Sequence, residues 1–163
     1  MRIGVVSDTH NNTNNIKKVV SLFNEFQVNL VVHTGDITNS KSLELFSDLK
    51  SRFVCVLGNN DRYEKGLFEV ATINNFKIKN PPYVLEEVDR KIAIFHEPDE
   101  IESFLATSKD IDIIFHGHTH RFRQEKINET LIFNPGESAG MMKGKNAIGI
   151  VDLINLSVER IFF

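Results

Sequence analysis

The chain has 163 residues, 41% hydrophobic and 25% charged, with a net charge of −3. That is the size of one globular domain, so residues 1–163 are read as a single unit with a real core. It excludes a disordered or fibrous chain and a broad basic footprint for nucleic acid; the lone cysteine, Cys55, also excludes a disulfide framework and a Cys-based zinc site. Six histidines stand against that one cysteine, so any metal chemistry here is nitrogen-and-oxygen chemistry.

The first half alternates short apolar runs with amphipathic segments. Ile3 to Val6 reads as a buried strand. Its apolar stretch is too short for a signal-peptide core or a membrane span, so a cytoplasmic setting is the expectation. Asn11-Asn12-Thr13 supplies N-cap chemistry, and Ile16, Val19, Val20, Phe23 and Phe26 follow at helical spacing. Leu30 to Val32 is the second strand. Asn39 and Ser40 cap a second helix with Leu43, Phe46 and Leu49 on one face, and Phe53 to Leu57 is the third strand. This order predicts a parallel sheet with crossover helices.

Leu67, Val70, Ile73 and Phe76 predict a short helix ended by Asn80-Pro81-Pro82. Tyr83–Val88 and Lys91–Phe95 then flank a turn at Asp89-Arg90. Pro98-Asp99-Glu100 opens a helix with Ile101, Phe104 and Leu105 inward. Strands are predicted at Ile111–Phe115, Arg121–Ile127, Leu131–Phe133, Ala147–Leu153 and Leu156–Ile161. The pattern implies one α/β domain with two sheets, parallel early and largely antiparallel late.

The polar residues fall at the ends of these strands. Asp8 and His10 follow the first, Gly35-Asp36 the second, and Gly58-Asn59-Asn60-Asp61 the third. His96 follows the strand ending at Phe95, and Gly117-His118-Thr119-His120 the one ending at Phe115. Ligands of open α/β sheets bind beyond the carboxyl ends of strands. An Asp-x-His spacing is common by chance in this composition, whereas a Gly-His-x-His string is rare. Asp8 as a helix cap, Asp36 as a turn residue and Asn59 as a left-handed turn residue are the bland readings. They do not explain why all of these residues share strand ends. The side-chain types suit Mn²⁺, Fe²⁺, Zn²⁺, Ni²⁺ or Co²⁺. Seven candidate ligands are too many for one ion with an open position, and suit two ions sharing a carboxylate. Asp8/His10 and His118/His120 have i, i+2 spacing, which in an extended segment puts both side chains on one side. His33 and His116 point away from their neighbours by strand alternation and are read as supporting or structural. Cys55 is read as core. Arg62, Arg121, Arg123 and Lys143 are candidate phosphate contacts or solvated surface.

Together these five ordered motifs, with Asn134-Pro135-Gly136-Glu137, resemble the calcineurin-like metallophosphoesterase superfamily, most nearly its small single-domain phosphodiesterase branch. The resemblance implies a four-layer αββα sandwich of two mixed β-sheets flanked by helices, the metallophosphoesterase fold. It implies that Asp8, His10 and His120 bind one metal, that Asn59, His96 and His118 bind a second, and that Asp36 bridges both. It further implies in-line attack of a metal-activated hydroxide on phosphorus, with Asp36 and His10 among the catalytic groups. Manganese is the first expectation for the two ions, with nickel, iron, cobalt or zinc as alternatives.

Two positions depart from the family pattern. Where many members carry His after Gly-Asn, this chain has Asn60, which has no proton to give and is expected to orient substrate or offer a hydrogen bond. Where relatives often have Gly after the site-two histidine, this chain has Glu97, which leaves open whether His96 swings out. The expected substrate is a small phosphodiester or nucleotide-like molecule, with no membrane partner and with homo-oligomerisation left open. The alternatives are a phosphomonoesterase or nucleotide pyrophosphatase on the same metal pair, or a non-catalytic scaffold such as the retromer subunit of this fold.

Overall fold

The structure is a computed structural model and describes residues 1–163. Strand β1 (Arg2–Val6) leads into α1 (Thr13–Glu25). The Asn12 side chain caps α1 by accepting from the Asn15 amide, and Ile16, Val19, Val20 and Phe23 form its buried face. The chain leaves this helix through Gln27 in a left-handed conformation, with the Val28 amide donating back to the Phe23 carbonyl. Next come β2 (Leu30–His33), α2 (Ser40–Glu44), a 3-10 turn at Leu45–Asp48, and β3 (Arg52–Val56). The predicted second helix is therefore part α and part 3-10. Leu43, Phe46 and Leu49 recur every three residues, which is the 3-10 period.

Helix α3 (Gly66–Ile73) is shorter than predicted and is followed by a strand the sequence reading missed, β4 (Lys77–Lys79). Spacing of three drifts by about 60° per turn of an α-helix, so Leu67, Val70, Ile73 and Phe76 cannot share one face. Ile73 is indeed exposed, and Phe76 lies beyond the helix, packed on Phe53 at 4.8 Å. The remaining elements are β5 (Tyr83–Glu87), β6 (Arg90–Ile94), α4 (Ile101–Thr107), β7 (Ile113–Phe115), β8 (Arg123–Ile127), β9 (Thr130–Asn134), β10 (Ala147–Asp152) and β11 (Ser157–Phe162). The β5–β6 turn is at Val88-Asp89, one residue earlier than predicted. Both residues have positive φ, as a type I′ hairpin turn requires.

One sheet has the order β11-β10-β1-β2-β3-β4 and the other β5-β6-β7-β9-β8. Strands β1 to β3 are parallel, as predicted, and the unpredicted β4 adds to them in parallel. The late strands are largely antiparallel, as predicted, with one departure at the centre of the second sheet. Strands β6, β7 and β9 are parallel to one another, with antiparallel β5 and β8 at the edges. Strands β10 and β11 return to the first sheet, where β10 pairs antiparallel with β1.

Alternation along the strands builds three apolar layers. Ile3, Val5, Val32, Val54 and Val56 of the first sheet meet Ile92, Ile94, Phe115, Leu131 and Phe133 of the second. The opposite face of the first sheet, with Val6, Val31, Phe53 and Ile148, is covered by Ile16, Val19 and Phe23 of α1 and by Leu43 and Leu67. The opposite face of the second, with Ala93, Ile114 and Ile132, is covered by Ile101, Phe104 and Leu105 of α4. The fold is thus an αββα sandwich. Phe23, Phe46, Phe115 and Phe133 are fully buried, each worth about 2 kcal/mol of apolar burial. Cys55 is buried in the layer under α1 with Phe23 and Phe46, and burial pushes its thiol up, so it is an inert core residue. No helix is long and apolar enough to cross a membrane. The carboxyl ends of β1, β2, β3, β6, β7 and β9 all open at the same end of the sandwich.

Candidate metal centre

The loops at that end do not continue the strands. Asp8, His10, Asp36, His118 and His120 have φ of 51°, 44°, 62°, 66° and 57°, all left-handed. The extended geometry expected for Asp8/His10 and His118/His120 is therefore not what brings their side chains together. Asp and His tolerate this region better than most residues, but each such position still costs about 1 kcal/mol or more. Long-range hydrogen bonds hold them there. The Asp8 amide donates to the Gly35 carbonyl at 3.1 Å and the His10 amide to the Asp36 carbonyl at 2.8 Å. The His118 amide donates to Asp8 Oδ2 at 3.1 Å, and Asn134 Nδ2 to the Gly117 carbonyl at 2.9 Å. The loops approach so closely that a Cβ on Gly117 would overlap Ser7 Oγ, and one on Gly58 would overlap Asp36 Oδ1.

These kinks send His118 and His120 into different clusters. In the first, His10 Nε2 and His120 Nε2 are 3.4 Å apart, and His120 Nε2 is 3.5 Å from Asp8 Oδ1. In the second, Asn59 Oδ1 lies 3.0 Å from His96 Nε2 and 3.1 Å from His118 Nδ1, and the two imidazole nitrogens are 3.3 Å apart. Asp36 stands between them. Its Oδ2 is 4.0 Å from His10 Nε2, and its Oδ1 is 3.5 Å from His96 Nε2. His96 has not swung out despite Glu97. Its Nδ1–H donates to the Thr34 carbonyl at 2.8 Å, which directs the Nε2 lone pair into the cluster.

The donor set fits divalent cations. Asp8 Oδ1 is buried with no hydrogen-bond partner, an orphaned anionic oxygen. Asp8, His10 and His120 have ligand atoms within 4.8 Å of one another, as do Asp8, Asp36 and His96. Imidazole nitrogens facing each other at hydrogen-bond distance need a proton or a cation between them. Burial raises the Asp8 carboxyl above its ordinary range, and this outweighs the Ser7 hydroxyl and the His96 and His120 charges. Burial alone would raise Asp36 too, but His96 and the two donors of Asn60 outweigh it and hold Asp36 well below the carboxylate range. Burial opposes charge on His96, yet the adjoining Asp36 raises its pKa above the ordinary 6.5.

The His96–Asp36 pair sets an expected pH response. Raised His96 stabilises the metal-free fold below pH 6.5, and this is lost as pH rises through its higher folded value. Depressed Asp36 stabilises above 3.8, and this is lost as pH falls through its lower folded value. A cation must displace the His96 proton, so metal affinity runs the opposite way. We expect Mn²⁺ to bind at least about tenfold more weakly at about pH 5.5 than at about pH 7.5. Calorimetry in two buffers should show proton release on binding, and equal affinity at both pH values would contradict histidine ligation.

Asn60 offers a hydrogen bond, as expected, and gives it to Asp36. Its Nδ2 donates to Asp36 Oδ2 at 2.8 Å and its amide to Asp36 Oδ1 at 2.9 Å, so it braces the central carboxylate. Asp61 was assigned no role from sequence. It is buried, and its Oδ2 accepts from the Asp36 and Gly58 amides, both at 2.8 Å, while Oδ1 accepts from the Thr38 amide at 2.7 Å. Its only sequence signal was its place in the Gly58–Asp61 turn. Arg62 pairs with Glu97 at 3.1 Å beside a cavity of about 260 Å³ lined also by Pro81, Pro82 and Phe95. Arg123 pairs with Glu125 at 2.6 Å, and Arg121 and Lys143 are exposed. His33 and His116 are buried, and burial lowers them to about 3 and about 4, so both stay neutral.

A model of the calcineurin-like phosphoesterase superfamily domain matches residues 1–155. Phosphodiesterase MJ0936 of Methanocaldococcus jannaschii is 33% identical over 154 residues, 93% of each chain. An archaeal phosphodiesterase of known structure superposes with a TM-score of 0.91 at 32% identity, covering 100% of both chains. Vps29 of Entamoeba histolytica shares the fold, with a TM-score of 0.71 at 20% identity over 100% of this chain and 99% of that one.

Proposed function

Because the chain belongs to the calcineurin-like phosphoesterase superfamily, a family of metal-dependent phosphoric ester hydrolases, we propose that it hydrolyses small phosphodiesters at a dinuclear centre. Asp8, His10 and His120 would hold one ion and Asn59, His96 and His118 the other, with Asp36 shared between them. The observation that supports this most is the placing of Asp36, one oxygen toward each cluster. Manganese is the ion we favour on the family resemblance, and the carboxylate, amide and imidazole donors accept it along with nickel, iron, cobalt or zinc.

When bound, the two ions supply Lewis acidity and a water ionised at neutral pH. The protein's part is preorganisation. Asp36 is kept anionic by Asn60 and His96, and Asp8 is anchored by Ser7 and the His118 amide. The left-handed loops hold the imidazoles at fixed separations, so little reorganisation is needed during reaction. Asn60, committed to Asp36, protonates nothing, and the leaving group departs with its charge.

The test is chelation followed by reconstitution with Mn²⁺, assayed on aryl diesters and aryl monoesters in parallel. Chelation should abolish diester turnover and Mn²⁺ should restore it, with diesters preferred. Across a diester series the rate should fall as the leaving-group pKa rises. A flat series would mean that another group supplies the proton, and monoester preference would overturn the diesterase assignment.

A further inference from the structure

We infer that His33, which faces neither cluster, is a positioning residue that sets the Asp8-Thr9-His10 loop against the Gly35-Asp36 turn. The inference rests on the dinuclear reading above. His33 is the last residue of β2 and is wholly buried. The Gly35 amide lies 3.1 Å from its Nδ1. An amide N–H only donates, so Nδ1 accepts and the ring proton is on Nε2. Nε2 lies 3.0 Å from Thr9 Oγ1, which accepts. The ring cannot turn, because it stands edge-on to Phe46 at 5.6 Å and against Phe53 at 6.4 Å. One rigid plane therefore ties Thr9 to Gly35.

Both tied residues matter by position. Thr9 lies between Asp8 and His10, and Gly35, itself at φ 106°, precedes Asp36. The backbone bonds from the Asp8 and His10 amides join the same two loops. They grip the main chain on either side of Thr9 and leave its side chain as a third point of attachment. Three points fix the roll of a loop that two leave free. That roll sets where Asp8 Oδ1 and His10 Nε2 sit relative to Asp36. Asn59, His96 and His118 arrive on other loops, so losing the Thr9 contact falls first on Asp8 and His10, and the larger effect belongs to the first cluster.

The test is Mn²⁺ titration of the metal-free full-length protein by calorimetry, with the coupled two-manganese signal read by electron paramagnetic resonance. Thr9→Val keeps the side-chain shape and removes the acceptor. It should weaken one equivalent about tenfold or more, leave the other within about twofold, and lose the coupled signal. Thr9→Ser keeps the hydroxyl and should restore both. His33→Phe, which also strips the Gly35 amide of its acceptor, should weaken the same equivalent at least as much as Thr9→Val; if it fails to fold, the threonine pair decides alone. A purely structural contact would lower the melting temperature and leave both affinities and the coupled signal as in wild type, which overturns the proposal. Equal weakening of both equivalents overturns it too. Wild-type protein that binds no Mn²⁺ would instead sink the dinuclear reading, and this inference with it.

Discussion

Asp36→Asn should leave a folded protein with turnover reduced by at least about 10²- to 10³-fold, the loss seen when one preorganised electrostatic contact is removed. Three effects combine. The side chain keeps one oxygen where the carboxylate had one for each cluster. It loses the negative charge that balances two cations. Its new NH₂ must face a donor, because both oxygens now accept from Asn60 at 2.8 and 2.9 Å. Mn²⁺ stoichiometry should fall from two to one, while far-ultraviolet circular dichroism stays that of the wild type. Unchanged turnover in Asp36→Asn would remove the enzyme reading of this site.

Asp61→Ala should be among the most destabilising single changes in the chain although it removes no proposed ligand. The carboxylate accepts from three backbone amides drawn from two loops, those of Asp36, Thr38 and Gly58. Alanine leaves those donors in a buried pocket with no partner. At about 1–3 kcal/mol for each unsatisfied buried group, the loss is about 3 kcal/mol or more. That is a large share of the roughly 5–15 kcal/mol that holds an ordinary domain. It also frees Asp36, whose left-handed backbone depends on that amide contact. Melting of the metal-free protein should fall by roughly 10 °C, and metal affinity should fall with it. A shift of only a degree or two would show that other contacts hold the β2 and β3 loops together.

Much of this was legible in order along the chain. The compact apolar run Ile3–Val6 and the helical spacing of Ile16 to Phe23 predicted β1 and α1, and both are there because a buried run and a buried helical stripe are local properties of the chain. The strand-end placing of Asp8, Asp36, Asn59, His96, His118 and His120 survives in space, since parallel strands carry their carboxyl ends to one edge. The predicted helix through Phe76 failed because a spacing of three does not hold one α-helical face. The antiparallel expectation for the late strands holds for β5–β6, β8–β9, β10–β11 and β1–β10, and fails only at the centre of the second sheet, where crossovers make β6, β7 and β9 parallel. Strand β9, not β8, lies beside β7.

The sequence by itself determined which side chains reach one end of the sandwich, because composition, period and strand order are local properties of the chain. Only the tertiary structure decided how they divide. His118 and His120 are two residues apart yet face different clusters, through left-handed backbone that local preference opposes and that is held by the His118 amide donating to Asp8 and by Asn134 donating to the Gly117 carbonyl. Asn60 and Asp61 sit in the same turn, and one braces the Asp36 side chain while the other anchors its amide. No spacing rule reveals such roles, because each is defined by a partner some two dozen residues away whose position depends on sheet pairing.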